Sequence, residues 1–353
     1  MANGDTSPSR VGQVNSAGDT DALFLKKFSG EILQTFEESN IFKALHTVRT
    51  IENGKSAQFP VTGIASAAYH TPGENIADAG NSYLSDIKKA EKVITIDKML
   101  LASTFLSNID DVKNHYDIRS VYANELGKAL AVRFDTALAK VFIAAARSAA
   151  AVTGGKTGGI LDVSANAMGD VSDSEDDTDN TDPTGAELTA ALFTAAQKLD
   201  ENDVPSDGRF CVLRPQEYYK LITGGAGQLA ISTSAVNKDV GGVGSIASGS
   251  IPQIAGITIY KSNHIPSTDL SAVSTGDGEA ANDVFGGSGV GYNGNFTNTL
   301  GVVSHSAAVG TVKLLDLATE SEYQIERRGT LFVAKYAMGH GVLRPECAIE
   351  LQK

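Results

Sequence analysis

The residues with the best claim to chemistry are Gly155-Lys156-Thr157, inside "AAVTGGKTGGI" at 150–160. Gly-Lys-Thr ends a phosphate-binding loop, in which backbone amides cradle phosphates and the lysine neutralises them. That loop needs Gly-x-x-x-x-Gly-Lys-Ser/Thr between a buried strand and a helix. The first glycine would be residue 150, which is Ala150, and the preceding segment has helical periodicity. Both requirements fail, so the glycines read as a helix stop and hinge. Gly289-Val290-Gly291-Tyr292-Asn293-Gly294 does fit Gly-x-Gly-x-x-Gly, but that motif must open a helix, and "NFTNTLGVV" after it reads as a strand. The six histidines (46, 70, 115, 264, 305, 340) show no metal-ligand spacing. Asp177 and Asp179 begin like a calcium loop, but its sixth position is Asp182 where glycine is needed. Cys211 and Cys347 lie singly in apolar runs and read as small core residues of a chain made in a reducing cytosol. No Gly-x-Ser-x-Gly elbow occurs. The expectation is therefore no catalytic residue, no cofactor and no metal.

Composition narrows the alternatives. Hydrophobic residues make up 42% of the 353, enough for a core, and the 36 glycines call for many turns. A net charge of −13 argues against tight, sequence-independent binding to nucleic acid, which needs cations to displace counterions. The polar first 20 residues lack the apolar centre of a signal peptide, and no apolar run reaches membrane-spanning length. No membrane partner is expected.

The elements that would position any site come next. After the polar arm, Leu23, Phe24, Phe28, Ile32 and Phe36 recur at helical spacing. "KSAQFPVTG" (55–63) and "EKVITIDKMLLA" (91–102) read as strands separated by 27 residues, the pattern of a long hairpin projecting from the body with "TPGEN" near its tip. A lone hairpin is marginal in water and needs a surface to lie on. Residues 109–148 form the longest predicted helix, with Tyr122, Leu126, Leu130, Phe134, Leu138 and Phe142 every four residues. Such a helix spans on the order of 60 Å, a spine longer than a globular body of this mass requires. Gly127 inside it predicts a close crossing. An acidic tract follows at 170–182. Thr184 and Glu187 form a capping box for a helix to about Asn202. "RFCVLRP", "QEYYKLI" and "AGITIYKSN" then read as strand, short helix and strand of a small α/β lobe, and the C-terminal residues read as two or three antiparallel strands.

An arm, an unpartnered helix, a projecting hairpin and a spine describe a subunit that completes itself against copies of itself. Several runs carry a resemblance to a known family: "ALFLKKFSGEIL" (22–33), "GKSAQFPVTG" (54–63), "AAYHTPGENI" (67–76), "EKVITID" (91–97), "DDVKNHYDIRSVYANELGKALA" (110–131), "HSAAVGTVKLLDL" (305–317) and "AKYAMGHGVLRPECA" (334–348). In this order they resemble the major capsid proteins of short-tailed, T-seven-like tailed phages (Autographiviridae type), which have the HK97-like capsid fold. The resemblance implies an α+β chain divided as N-arm (1–50), E-loop hairpin (51–100), first part of the P-domain with the spine helix and acidic loop (101–182), A-domain (183–304) and second part of the P-domain (305–353). It implies hexamers and pentamers of an icosahedral shell with triangulation number seven. It also implies a scaffolding protein, a portal protein, double-stranded DNA enclosed without tight binding, and a place in the virion after assembly in the bacterial host cytoplasm. Phe24, Phe28 and Ile32 are expected to bury against a neighbour, and Lys55, Glu74, Asp86, Lys88 and Lys89 to pair across subunits. Gly154, Gly155, Gly158 and Gly159 are the expected hinge. A nanocompartment shell of the same fold (encapsulin type) is the runner-up, and a nucleotide-binding enzyme the third reading.

Overall fold

The structure is a computed structural model that describes residues 40–77, 83–84, 87–96, 99–109, 118–163, 183–223, 249–271 and 292–353. The strands, in chain order, are β1 (Thr47–Thr50), β2 (Ser56–Thr62), β3 (Lys89–Thr95), β4 (Leu100–Ser107), β5 (Gly159–Asp162), β6 (Arg209–Leu213), β7 (Gln253–Ile254), β8 (Ile257–Lys261), β9 (Thr299–His305), β10 (Val309–Gln324), β11 (Gly329–Val342) and β12 (Ala348–Gln352). The helices are α1 (Ile118–Ala146), α2 (Gly185–Glu201) and α3 (Pro215–Thr223).

The spine is α1. Its described 29 residues span roughly 44 Å. The four-residue repeat becomes progressively more buried along it: Tyr122 is exposed, whereas Leu138 and Phe142 are fully buried. Phe142 stacks on Phe42 and meets Phe210 edge-on, joining three distant stretches of chain. The crossing predicted at Gly127 is not there, since no described atom lies within 4 Å of a Cβ placed on it. Close backbone approaches occur at strand glycines instead.

A four-stranded sheet in the order β1-β10-β11-β4 packs one face on α1 through Tyr336 and His340, both edge-on to Phe134. A six-stranded sheet in the order β5-β12-β9-β6-β8-β7 forms the lobe. All five residues of β6 are buried, as expected of a strand covered on both faces. The predicted capping box is present: the Thr184 hydroxyl accepts from the Glu187 amide at 3.4 Å, and the Glu187 carboxylate accepts from the Thr184 amide at 2.6 Å. The run 91–102 is not one strand. It divides between β3, in a two-stranded hairpin with β2, and β4, at the edge of the four-stranded sheet.

Candidate assembly surfaces

Lys156 has a structural post. Its ammonium donates to the carbonyl of Glu201, the last residue of α2, and pairs with Asp203 at 2.7 Å. A cation at a helix C-terminus satisfies orphan carbonyls and complements the helix dipole. Gly158 sits under the other helix end: its amide donates to Ser148, and an added Cβ would lie 2.3 Å from the Ala146 carbonyl oxygen. Gly154 is in the left-handed region at φ +81°, and a Cβ on Gly155 would lie 2.9 Å from the Val152 carbonyl oxygen. A Cβ on Gly159 would make an ordinary 3.5 Å contact with Ile349. The stretch is thus a helix stop tied to the lobe, and two of its glycines are demanded by backbone proximity.

Asp135 fixes the root of the N-terminal arm. Its buried carboxylate accepts from the amides of Ile41 (3.3 Å) and Phe42 (2.9 Å) and pairs with His264 Nδ1 at 2.7 Å. One side chain of the spine therefore holds the arm root and a loop of the lobe together. Nearby, burial lowers the pKa of His46, partly offset by its hydrogen bond to the Phe42 carbonyl and by Asp135. Burial pushes His340 down to about 3, helped by the neighbouring His46.

The segment Tyr292–Phe296 straps the lobe along α1. Tyr292 Oη accepts from the His340 amide, Asn293 meets Lys140 at 3.2 Å, and the Asn295 carbonyl accepts from Arg147 at 2.6 Å. Arg147 also forks onto the buried Glu350 of β12 at 2.6 and 2.7 Å, and Thr299 donates to the same carboxylate at 2.5 Å. A buried carboxylate paired this way is strongly held, because breaking the pair would strand its charge.

The projecting hairpin rests on its own chain. Gly339 and Gly341 alternate along β11, and Gly310 is the cross-strand partner of Gly341. These three remove side chains from the sheet face opposite α1. Ala57, Ile94 and Ile96 at the hairpin base fill that space against Val312, Ala337 and Leu343. A Cβ on Gly339 would lie 2.3 Å from the Thr95 carbonyl oxygen. Glycine inside a strand marks such an approach. The signal was legible as "GHG" at 339–341, and the sequence reading passed over it.

Beyond this base the hairpin presents apolar side chains to solvent. Ile64 is 70% exposed and Tyr69 fully so, with Ile76, Leu84 and Ile87 also exposed. The far end of the β10–β11 ribbon adds Tyr323 and Ile325, the latter 72% exposed. Grouped surfaces of this kind mark sites of association. Among the predicted pairing residues, Lys55, Lys88 and Lys89 are exposed at the base of this arm. Glu74 is also exposed, but its carboxylate accepts from the Tyr83 hydroxyl within the arm. Asp86, Phe24, Phe28, Ile32 and the acidic tract lie outside the described residues. Cys211 and Cys347 are buried, and burial raises both thiols, Cys347 to about 11. Among the described residues, no group of three His, Cys, Asp or Glu side chains could hold a metal ion.

Three comparisons agree with this architecture. The family described as "Gp10A-like: Major capsid protein" matches residues 58–352. The major capsid protein of Escherichia phage T7 is 34% identical over 343 residues, covering 95% of this chain and 93% of the relative. Among solved structures, the capsid of the cyanophage P-SCSP1u is 39% identical, covers 98% of both chains and superposes with a TM-score of 0.75. The mature capsid of bacteriophage PhiM1 has the same fold at 19% identity, with a TM-score of 0.71 over 98% of this chain and 96% of its own. The chain belongs to the Gp10A-like family of major capsid proteins and has the HK97-like capsid fold.

Proposed function

We infer that this chain is the major capsid protein of a tailed double-stranded DNA phage, a structural subunit that assembles with copies of itself into the shell of the virion. The observation that carries the reading is an α+β body with exposed apolar surface concentrated on two projections, in a chain 39% identical over almost its whole length to a capsid subunit of solved structure. The matched relatives and solved structures are phage shell proteins, which favours this over a nanocompartment shell. The hydrogen bonds of Lys156 remove the motif on which an enzyme reading rested.

The finer assignments are part of the proposal. Residues 1–50 act as the N-arm, 51–100 as the E-loop lying over a neighbour, 101–182 and 305–353 as the P-domain, and 183–304 as the A-domain around the capsomere axes. Hexamers and pentamers close an icosahedral lattice of triangulation number seven around a portal protein, guided by a scaffolding protein. Heterologous contacts close into rings when their rotation permits. Phe24, Phe28 and Ile32 bury against a neighbour, while Lys55, Glu74, Asp86, Lys88 and Lys89 supply polar contacts along the hairpin. The net charge of −13 suits a container that must release its DNA. Removing residues 1–40 tests the arm. Electron microscopy should then show soluble oligomers in place of shells, and normal shells from that variant would refute the assignment.

A further inference from the structure

The arm root borders an unfilled apolar groove. Leu130 and Phe134 of α1 and Tyr336 and Met338 of β11 form its walls, enclosing about 90 Å³. Asn40 and Lys43 stand at its rim. Leu130, Phe134 and Tyr336 are otherwise well buried, so the groove is an interruption in the core beneath the spine and not a feature of the outer surface.

The chain itself points to the occupant. Asn40 is the first described residue and forms part of the rim, while Asp135 pins Ile41 and Phe42 immediately after it. The arm therefore leaves the body at the groove mouth in a fixed position. Glu37, Glu38 and Ser39 are polar, so Phe36 is the first apolar residue N-terminal to the rim. Four residues reach at most about 14 Å, enough to return an aromatic ring to a groove that their own neighbour lines. So short a tether gives Phe36 an effective concentration in the millimolar range, an advantage no arm from another subunit has at this spot. Lys43 at the rim also supplies a cation for Glu37 and Glu38 on the connecting residues.

We propose that Phe36 of the same chain seats in the groove between Leu130, Phe134, Tyr336 and Met338, anchoring the arm in cis. Only the part of the arm before residue 36 is then free to reach a neighbour. This separates two jobs within one segment: Phe36 fixes where the arm starts, and Phe24, Phe28 and Ile32 determine where it ends.

Disulfide trapping tests this. Phe36→Cys is combined with Met338→Cys, with each single variant as control and with Cys211 and Cys347 retained because both are buried. Both assembled particles and unassembled subunits are oxidised, run on non-reducing gels and mapped by peptide mass. The expected result is conversion of most chains to an intrachain 36–338 link at monomer mass, in both preparations. A ladder of cross-linked multimers would mean that a neighbour's arm fills the groove and would overturn the proposal. So would unlinked thiols in both the Met338→Cys pairing and the alternative pairing with Ala131→Cys, which lines the same groove. Shell formation is scored separately by microscopy, so a failed link and a failed capsid assignment are distinguishable.

Discussion

Replacing Gly339 with alanine drives a methyl group into the root of the projecting hairpin. The new Cβ would lie 2.3 Å from the Thr95 carbonyl oxygen and 3.1 Å from its carbon, whereas ordinary contact begins at 3.4 Å. Thr95 and β11 must therefore part by roughly 1 Å. The obstructing atom is backbone and cannot rotate away as a side-chain tip could. Parting them loosens Ile94 and Ile96 from Val312, Ala337 and Leu343, the cluster that holds the hairpin base to the body. Overpacking of this kind costs about 1–3 kcal/mol. The control is the same substitution at Gly127, a helix interior position with open space around it, where alanine gains up to about 1 kcal/mol of helix propensity. Thermal melting of the unassembled subunit reads the stability change, amide hydrogen exchange in β2 and β3 reads the loosening, and electron microscopy counts the shells. We expect Gly339→Ala to melt lower, exchange faster in the hairpin and form fewer shells, with Gly127→Ala equal to or above wild type. A Gly339→Ala subunit with unchanged melting and protected β2 and β3 amides would show that the hairpin does not rest on this glycine face.

Three other outcomes follow from the same structure. Arg147→Leu strands the Glu350 carboxylate and should cost about 3 kcal/mol by denaturant unfolding, while adding Glu350→Leu should recover much of the loss; an unrecovered double variant would deny the coupling. His340 is held neutral, with a folded pKa near 3 against an ordinary 6.5, so its share of stability is complete above pH 6.5 and is lost as pH falls from 6.5 towards 3, with a slope of up to about 1.4 kcal/mol per unit. His340→Phe should flatten the melting temperature between pH 7 and 4.5, and parallel curves would exclude the histidine. For the proposed hinge, substituting all four glycines would confound motion with folding, because Gly158 lies against the Ala146 carbonyl; the variant Gly154→Ala with Gly159→Ala should assemble but expand poorly, and normal expansion would leave the stretch a plain helix stop.

What the sequence determined by itself is what short-range physics writes into it. The Thr184 capping box, the four-residue repeat from Leu126 to Phe142 and the buried run Arg209–Leu213 each depend on groups a few residues apart, and the structure contains all three. The failed phosphate-loop spacing at Ala150 is equally local, and so are the quoted runs on which the family resemblance rested. Only the tertiary structure decided matters that join distant residues. Arg147 meets Glu350 across 203 positions, and Asp135 meets Phe42 across 93 and His264 across 129, pairings that no periodicity announces. The break of 91–102 into strands of two sheets, and the choice of Gly339 over Gly127 as the site of close approach, depend on which backbone lies opposite. A glycine states only that a side chain is absent; what occupies the vacated space is settled by the partner that packs against it.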